Sequence, residues 1–280
     1  MDSDAVAAII EHLSPSLRRR LKTDPPLFVA LQGPQGSGKS FIAALLKARL
    51  SASPHSLNVT IISIDDLYLP HADLTQLARQ HPENPLWSGR GQPGTHDVDL
   101  GLRLLQTLRS QEESVELPRF DKSLFDGQGD RLPLGLQDST ISQPPLDLVI
   151  LEGCVWIEER ERLDLTVTPR KADLESVNNA LLAYVKLWSG FDIFVQIKPS
   201  PSQVLPSKYS IIYQWRLEQE HYMKASNGGR GMSDDAVKGF VDRYIPGYVF
   251  FGDIPVSSSP WSGLRLLVDE TRCLVGIEKF

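Results

Sequence analysis

Eight consecutive residues, Gly33-Pro34-Gln35-Gly36-Ser37-Gly38-Lys39-Ser40, follow the spacing G-x-x-x-x-G-K-S. Each fixed type answers to a phosphate. Glycines let the backbone curl so that successive N–H groups point at phosphate oxygens. A helix opening at the end of the loop adds the positive end of its dipole. Lys39 reaches the β- and γ-phosphates, and the Ser40 hydroxyl holds Mg²⁺. The segment therefore reads as a cradle for ATP and Mg²⁺.

A phosphate cradle does not select a reaction. Transfer to a hydroxyl needs a group that orients the acceptor and takes its proton, and a carboxylate beside the γ-phosphate does both. In a parallel sheet, ligands bind beyond the carboxyl ends of the strands. Asp65 follows the β-branched run Asn58 to Ile64, and Glu152 follows the apolar run Leu146 to Leu151. Asp65 is the expected acceptor-activating residue. Glu152 ends a Walker-B-like strand and is expected to bind Mg²⁺ directly or through water. Asp66 suits a cap or turn better than catalysis.

Two segments offer charge to a substrate. Gly89 to Asp97 contains Arg90, suited to bidentate grip on a carboxylate, and His96, a hydrogen-bond donor. Residues 117–131 contain Arg119, Asp121, Lys122 and Arg131. A small anionic acceptor is the partner such cations imply. Phosphoryl-transfer enzymes also bring an arginine over the transferring group, often on a lid. Arg216, Arg230 and Arg243 are the candidates, although Arg216 also stands four residues before Glu220, the spacing of a helical ion pair.

These groups must be positioned by an α/β framework. Leu27 to Leu31 is short, apolar and bounded by proline and glycine, as a strand buried on both faces is. Phe41 to Leu50 reads as a helix and Asn58 to Ile64 as the next strand, an alternation that implies a parallel sheet flanked by helices. Residues 4–22 have helical periodicity with an expected break at Ser14-Pro15. A short helix is expected at 73–79 and a longer one at 97–108, followed by an irregular stretch over 115–143. Further helices are expected at 173–188, 207–224 and 234–244, a strand at 191–197 and a terminal hairpin over 264–277. The domain expectation is one P-loop kinase unit over 1–280, with a helical extension at 1–24 and the core at 25–280.

The net charge of −6 and the lack of a basic run argue against nucleic-acid binding. No apolar run approaches the ~20 residues that span a bilayer. Two cysteines, Cys154 and Cys273, make neither a disulfide framework nor a zinc site. The acidic start, Met1-Asp2-Ser3-Asp4, lacks the basic region of a targeting segment. A soluble protein of the cytoplasm or nucleus is expected.

The chain resembles the glycerate kinase family, within the phosphoribulokinase/uridine kinase-like P-loop kinases, and its fungal ATP-dependent kinase members above all. The stretches that carry the resemblance are GPQGSGKS at 33–40, SIDDLY at 63–68, GRGQPGTHD at 89–97, LPRFDKSLFDGQGDR at 117–131, ILEG at 150–153, WRLEQEH at 215–221 and GMSDDAVKGFVDRYIPGY at 231–248. The resemblance implies a P-loop NTPase fold with irregular substrate and lid segments. It implies Asp65 as the hydroxyl-activating carboxylate, although Asp66 stands where relatives carry a smaller or neutral residue. It favours Arg216 as the lid arginine and D-glycerate as the acceptor. Pantothenate, a nucleoside or a sugar phosphate are the alternative acceptors. An ATP-binding protein without efficient catalysis is the alternative from another class.

Overall fold

The computed structural model describes residues 3–21, 24–137, 139–153, 171–201, 207–251 and 262–280. In chain order the elements are α1 (Ser3–Arg19), β1 (Leu27–Gln32), α2 (Lys39–Ser51), β2 (Val59–Ser63), a 3₁₀ turn (Ile64–Leu67), α3 (His71–Gln80) and α4 (Val98–Ser110). Short pieces follow: β3 (Val115–Glu116), β4 (Phe120–Asp121), the distorted turn α5 (Leu124–Gly127), β5 (Asp130–Arg131) and β6 (Ile141–Ser142). The chain then forms β7 (Leu148–Gly153), α6 (Lys171–Leu181), α7 (Val185–Trp188), β8 (Ile193–Pro199), α8 (Ile211–Ser226), α9 (Asp234–Asp242), α10 (Ile245–Phe251), β9 (Ser262–Val268) and β10 (Leu274–Lys279).

Six strands make one sheet in the order β10-β9-β8-β1-β7-β2. All neighbours are parallel except the β9–β10 pair, a terminal antiparallel hairpin. The strands β1 and β2, consecutive in the chain, are not neighbours, because β7 pairs with both.

Every residue of β1 is buried, as its unbroken apolar run requires. Alternate side chains go to opposite faces. Val29, Leu31, Ile150 and Val195 join a cluster with Ala5, Val6, Ile9 and Leu13 of α1, Leu46 of α2 and Trp215 of α8. Phe28, Ala30, Val149 and Phe194 join the other cluster, with Leu104 and Leu108 of α4, Leu181 of α6 and Tyr244. Three layers result, with helices on both faces of a mainly parallel sheet.

Several boundaries differ from the sequence expectation. The helix α1 runs through Pro15 rather than breaking there. Both Pro15 and Glu11, whose carbonyl loses its helical partner, are exposed, so water can satisfy that carbonyl. Leu21 lies outside the helix and is exposed. The expected helix over 173–188 divides into α6, a 3₁₀ turn and α7, while the one expected over 234–244 is α9, ending at Asp242, with α10 a further helix beyond it. Cys154 lies outside the described residues, and Cys273 is exposed and unpaired. No helix among the described residues is long and apolar enough to cross a membrane.

Candidate active site

The strand registers bring the predicted groups together. Leu31 of β1 stands beside Glu152 of β7, and Ser63 of β2 stands on the other side of the same residue. The loop after β1, Glu152 and the turn after β2 therefore share the carboxyl edge of three adjacent strands. A cavity of about 340 Å³ opens there, walled by Gln35, Lys39, Ser40, Asp65, Lys122 and Glu152, among others.

The loop 33–38 is shaped by what it packs against. Gly36 has φ +69°, and a Cβ on it would lie 2.5 Å from the Trp215 backbone, so no larger residue fits. Gly38, at φ 88°, turns the chain into α2. The Gln35 N–H donates to the Tyr248 hydroxyl at 3.0 Å, and Arg272 Nε donates to the Gly36 carbonyl at 2.6 Å. Lys39 Nζ folds back to the Pro34 carbonyl at 2.9 Å. Buried polar atoms of this loop, the Ser37 hydroxyl and both ends of the Gln35 amide, have no protein partner among the described residues. Such orphaned groups fit a polar ligand held by the loop. The Ser40 hydroxyl donates to Glu152 Oε1 at 2.9 Å, an all-oxygen pair of the kind a hard divalent cation takes.

Asp65 and Asp66 separate at the 3₁₀ turn. Asp65 lines the cavity and forms an ion pair with Lys122. Burial would raise its pKa, but the Lys122 charge and hydrogen bond, with help from Tyr68 and Lys39, bring it well below the usual carboxylate range. The same pair raises the Lys122 pKa against the opposing effect of burial. Asp66 instead accepts the Phe120 N–H at 2.9 Å, and burial pushes its pKa up to about 6 despite that bond. Asp66 thus ties the 117–121 segment to the turn.

The cations of the two substrate segments divide in the same way. Arg90 is 5 % exposed, lines the cavity, and donates through Nη1 to the Gly127 and Gln128 carbonyls. His96 does not reach the cavity. It is buried against Tyr68 with ring centroids 4.4 Å apart, bonds through Nδ1 to the Tyr184 hydroxyl at 2.8 Å, and burial lowers its pKa to about 4 against the pull of Asp65. The ring is packed against Tyr68, and its Nε2 is buried without a hydrogen-bond partner among the described residues. Arg119 is exposed and away from the cavity wall, because its segment turns its side chain outward while Phe120 goes in. Arg131 is a strut: it pairs with Asp97 at 3.1 Å and donates to the Leu67 and Tyr68 carbonyls. Asp121 accepts the Ser123 N–H and hydroxyl.

Among the arginines of the later helices, Arg216 lines the cavity from α8. It also makes the expected pair with Glu220, at 2.6 Å and buried, and Glu220 in turn accepts the Met232 N–H at 2.7 Å. The ion pair and the cavity position coexist. Arg230 is exposed in its turn, and Arg243 lies on a neighbouring cavity. Two contributors escape sequence reasoning. Arg272, in the β9–β10 turn, and Tyr248, in α10, hold the phosphate loop from about 210 to 240 residues away. Arg272 carries no local motif, and Tyr248, although it ends the 231–248 stretch, has no chemistry in its spacing that points to Gln35; tertiary packing brings each to the loop.

The comparisons with known proteins give this geometry a relation. No protein-family model matches the chain. The probable ATP-dependent kinase TDA10 of Saccharomyces cerevisiae is 37% identical over 264 residues, 88% of this chain and 86% of that protein. The solved D-glycerate 3-kinase from Cryptococcus neoformans var. grubii is 35% identical, superposes with a TM-score of 0.79, and is matched over 99% of this chain and 98% of its own. The chain belongs to the glycerate kinase family. It is an ATP-dependent phosphotransferase of the P-loop kinase fold. The chloroplastic D-glycerate 3-kinase of Arabidopsis thaliana, also similar, is 31% identical over 258 residues, 89% of this chain and 54% of that protein. Shared descent of this glycerate kinase family member with such enzymes makes the carboxyl edge of the sheet the place to read its reaction.

Proposed function

We propose that this kinase transfers the γ-phosphate of ATP to a hydroxyl of a small anionic acceptor, with D-glycerate the first candidate and Mg²⁺ the metal. The observation that carries the reading is the Asp65–Lys122 pair, facing one cavity with Lys39, Ser40 and Glu152. The names of two relatives, both D-glycerate 3-kinases, support the acceptor.

The chain's own groups divide the work. Backbone N–H groups of residues 33–38 receive the phosphates, and Lys39 exchanges the Pro34 carbonyl for a phosphate oxygen. Ser40 and Glu152 would hold Mg²⁺, which neutralises β- and γ-phosphate oxygens when bound. Asp65, kept ionised by Lys122, accepts a hydrogen bond from the acceptor hydroxyl and aims its oxygen at the γ-phosphorus. Arg216, oriented by Glu220, donates to the transferring group. Arg90 offers its free nitrogens to the acceptor's anionic end. Because α1 shares an apolar cluster with the sheet, we place it and the core in one catalytic domain. The need for ATP fits the cytoplasmic or nuclear setting expected from the sequence.

ADP release from Mg-ATP, measured with D-glycerate, pantothenate, uridine and ribulose 5-phosphate in turn, tests the reading. D-Glycerate should stimulate release at least about tenfold, and Lys39→Ala should abolish the stimulation. Stimulation by another acceptor alone removes glycerate and keeps the kinase. No stimulation by any of them, with ATP binding confirmed, contradicts the acceptor assignment.

A further inference from the structure

A second cavity, of about 550 Å³, adjoins the first and shares Arg90, Met232 and Phe240 with it. Its walls come from α3, residues 88–90, the α5 turn and α9. Leu74, Ala78 and Pro82 contribute apolar surface to it, and Arg79, Arg90 and Arg243 contribute cationic groups.

Arg90 and Arg243 are set close together. Both guanidiniums lie on the Phe240 ring, 5.6 and 5.1 Å from its centroid. Arg243 also reaches the loop itself: a Cβ on Gly89 would stand 3.0 Å from its Nη1, and that nitrogen donates to the Ser88 hydroxyl at 3.3 Å. Arg90 spends its Nη1 on two carbonyls. Neither arginine meets a carboxylate among the described residues; Asp126 shares the wall without pairing to either. Burial lowers the Arg243 pKa, and the charge of Arg90 adds to that lowering. Arg90 is buried and Arg243 half-buried, and two like charges on one wall with no carboxylate paired to either among the described residues favour an anion beside them.

We propose that the acceptor's carboxylate is seated between Arg90 and Arg243, with its hydroxyl end directed past Arg90 toward Asp65 in the first cavity. Arg243 is then the residue that makes the enzyme select acidic acceptors. Arg90 is common to both ends of this arrangement, lining the cavity that holds Asp65 and Lys122 as well as the one that holds Arg243. This inference rests on the kinase reading above and adds to it the seat of the charge.

Steady-state kinetics of Arg243→Gln and Arg243→Lys, with D-glycerate and with its uncharged amide, test the assignment. For Arg243→Gln, KM for D-glycerate should rise about thirtyfold, as loss of a charge-assisted bond predicts, while KM for the amide changes little. Arg243→Lys should recover part of the loss. Mg-ATP affinity, read by titration without acceptor, and the thermal midpoint should stay near the wild-type values, which separates lost charge recognition from lost folding. An Arg243→Gln enzyme whose preference for acid over amide equals that of the wild type overturns the proposal, as does a fall in kcat with KM unmoved. Absence of acceptor-stimulated turnover in the wild type overturns the parent reading and this one together, so the two failures are told apart.

Discussion

Asp65 is a half-buried carboxylate with an ammonium against it, and its usefulness depends on that neighbour. Lys122 depresses the Asp65 pKa, so the carboxylate stays ionised far below neutrality and can always accept a hydroxyl proton's hydrogen bond. In Lys122→Met, burial acts unopposed by that ammonium, and burial raises a carboxylate's pKa. The acid limb of the kcat/KM profile should therefore move upward by at least about one pH unit, with activity lost as pH falls through it. A limb that stays in place would separate Lys122 from the state of Asp65. Sequence reasoning favoured Asp65 over the adjacent Asp66 without showing how the two part, and the 3₁₀ turn sends one into the cavity and the other to the Phe120 N–H. His96 and Arg119 were legible as polar groups in loops. Whether such groups face a cavity depends on tertiary packing, which put His96 behind Tyr68 and Arg119 in solvent.

At the scale of elements, the phosphate loop is fixed by pieces remote in the chain. The β9–β10 hairpin, at the edge of the sheet, supplies Arg272, which donates to Gly36, pairs with Glu218 of α8 at 2.7 Å and stacks on Trp215. That one side chain locks the loop, α8 and the hairpin together, and α8 also carries Arg216. Arg272→Ala should weaken Mg-ATP binding about three- to tenfold and lower the thermal midpoint by a few degrees, losing about 1–2 kcal/mol of charge-assisted bonding. Calorimetric titration and a melting curve check both; unchanged ATP affinity would show that the loop holds its shape without the hairpin. The strand–loop–helix unit around Lys39 was readable because its signals are local: apolar run, glycine spacing, helical period. The insertion of β7 between β1 and β2 was not, since strand order depends on long-range pairing that no periodicity encodes.

For the whole molecule, both faces of the sheet are covered by helices, which leaves the carboxyl edge as the place where backbone and side chains can meet a ligand. Strands leave β1 in both directions, β7 and β2 to one side and β8 and β9 to the other, and the phosphate loop rises between them. The insertion over 115–142, unreadable as regular structure, forms two small ladders; β3–β6 lies by the start of β2, while β4–β5 lies by the turn after β2, with Lys122 directly following β4. In the proposed reaction, phosphate moves from ATP to an acceptor hydroxyl aimed by Asp65. Its most direct test is to supply Mg-ATP labelled in the γ-phosphate together with D-glycerate, and to follow the label in wild type and in Asp65→Asn. The account predicts label in the acid for the wild type and transfer at least about a hundredfold slower for Asp65→Asn, with Mg-ATP affinity retained. Label appearing only as free phosphate, or equal transfer rates in the two proteins, would contradict it.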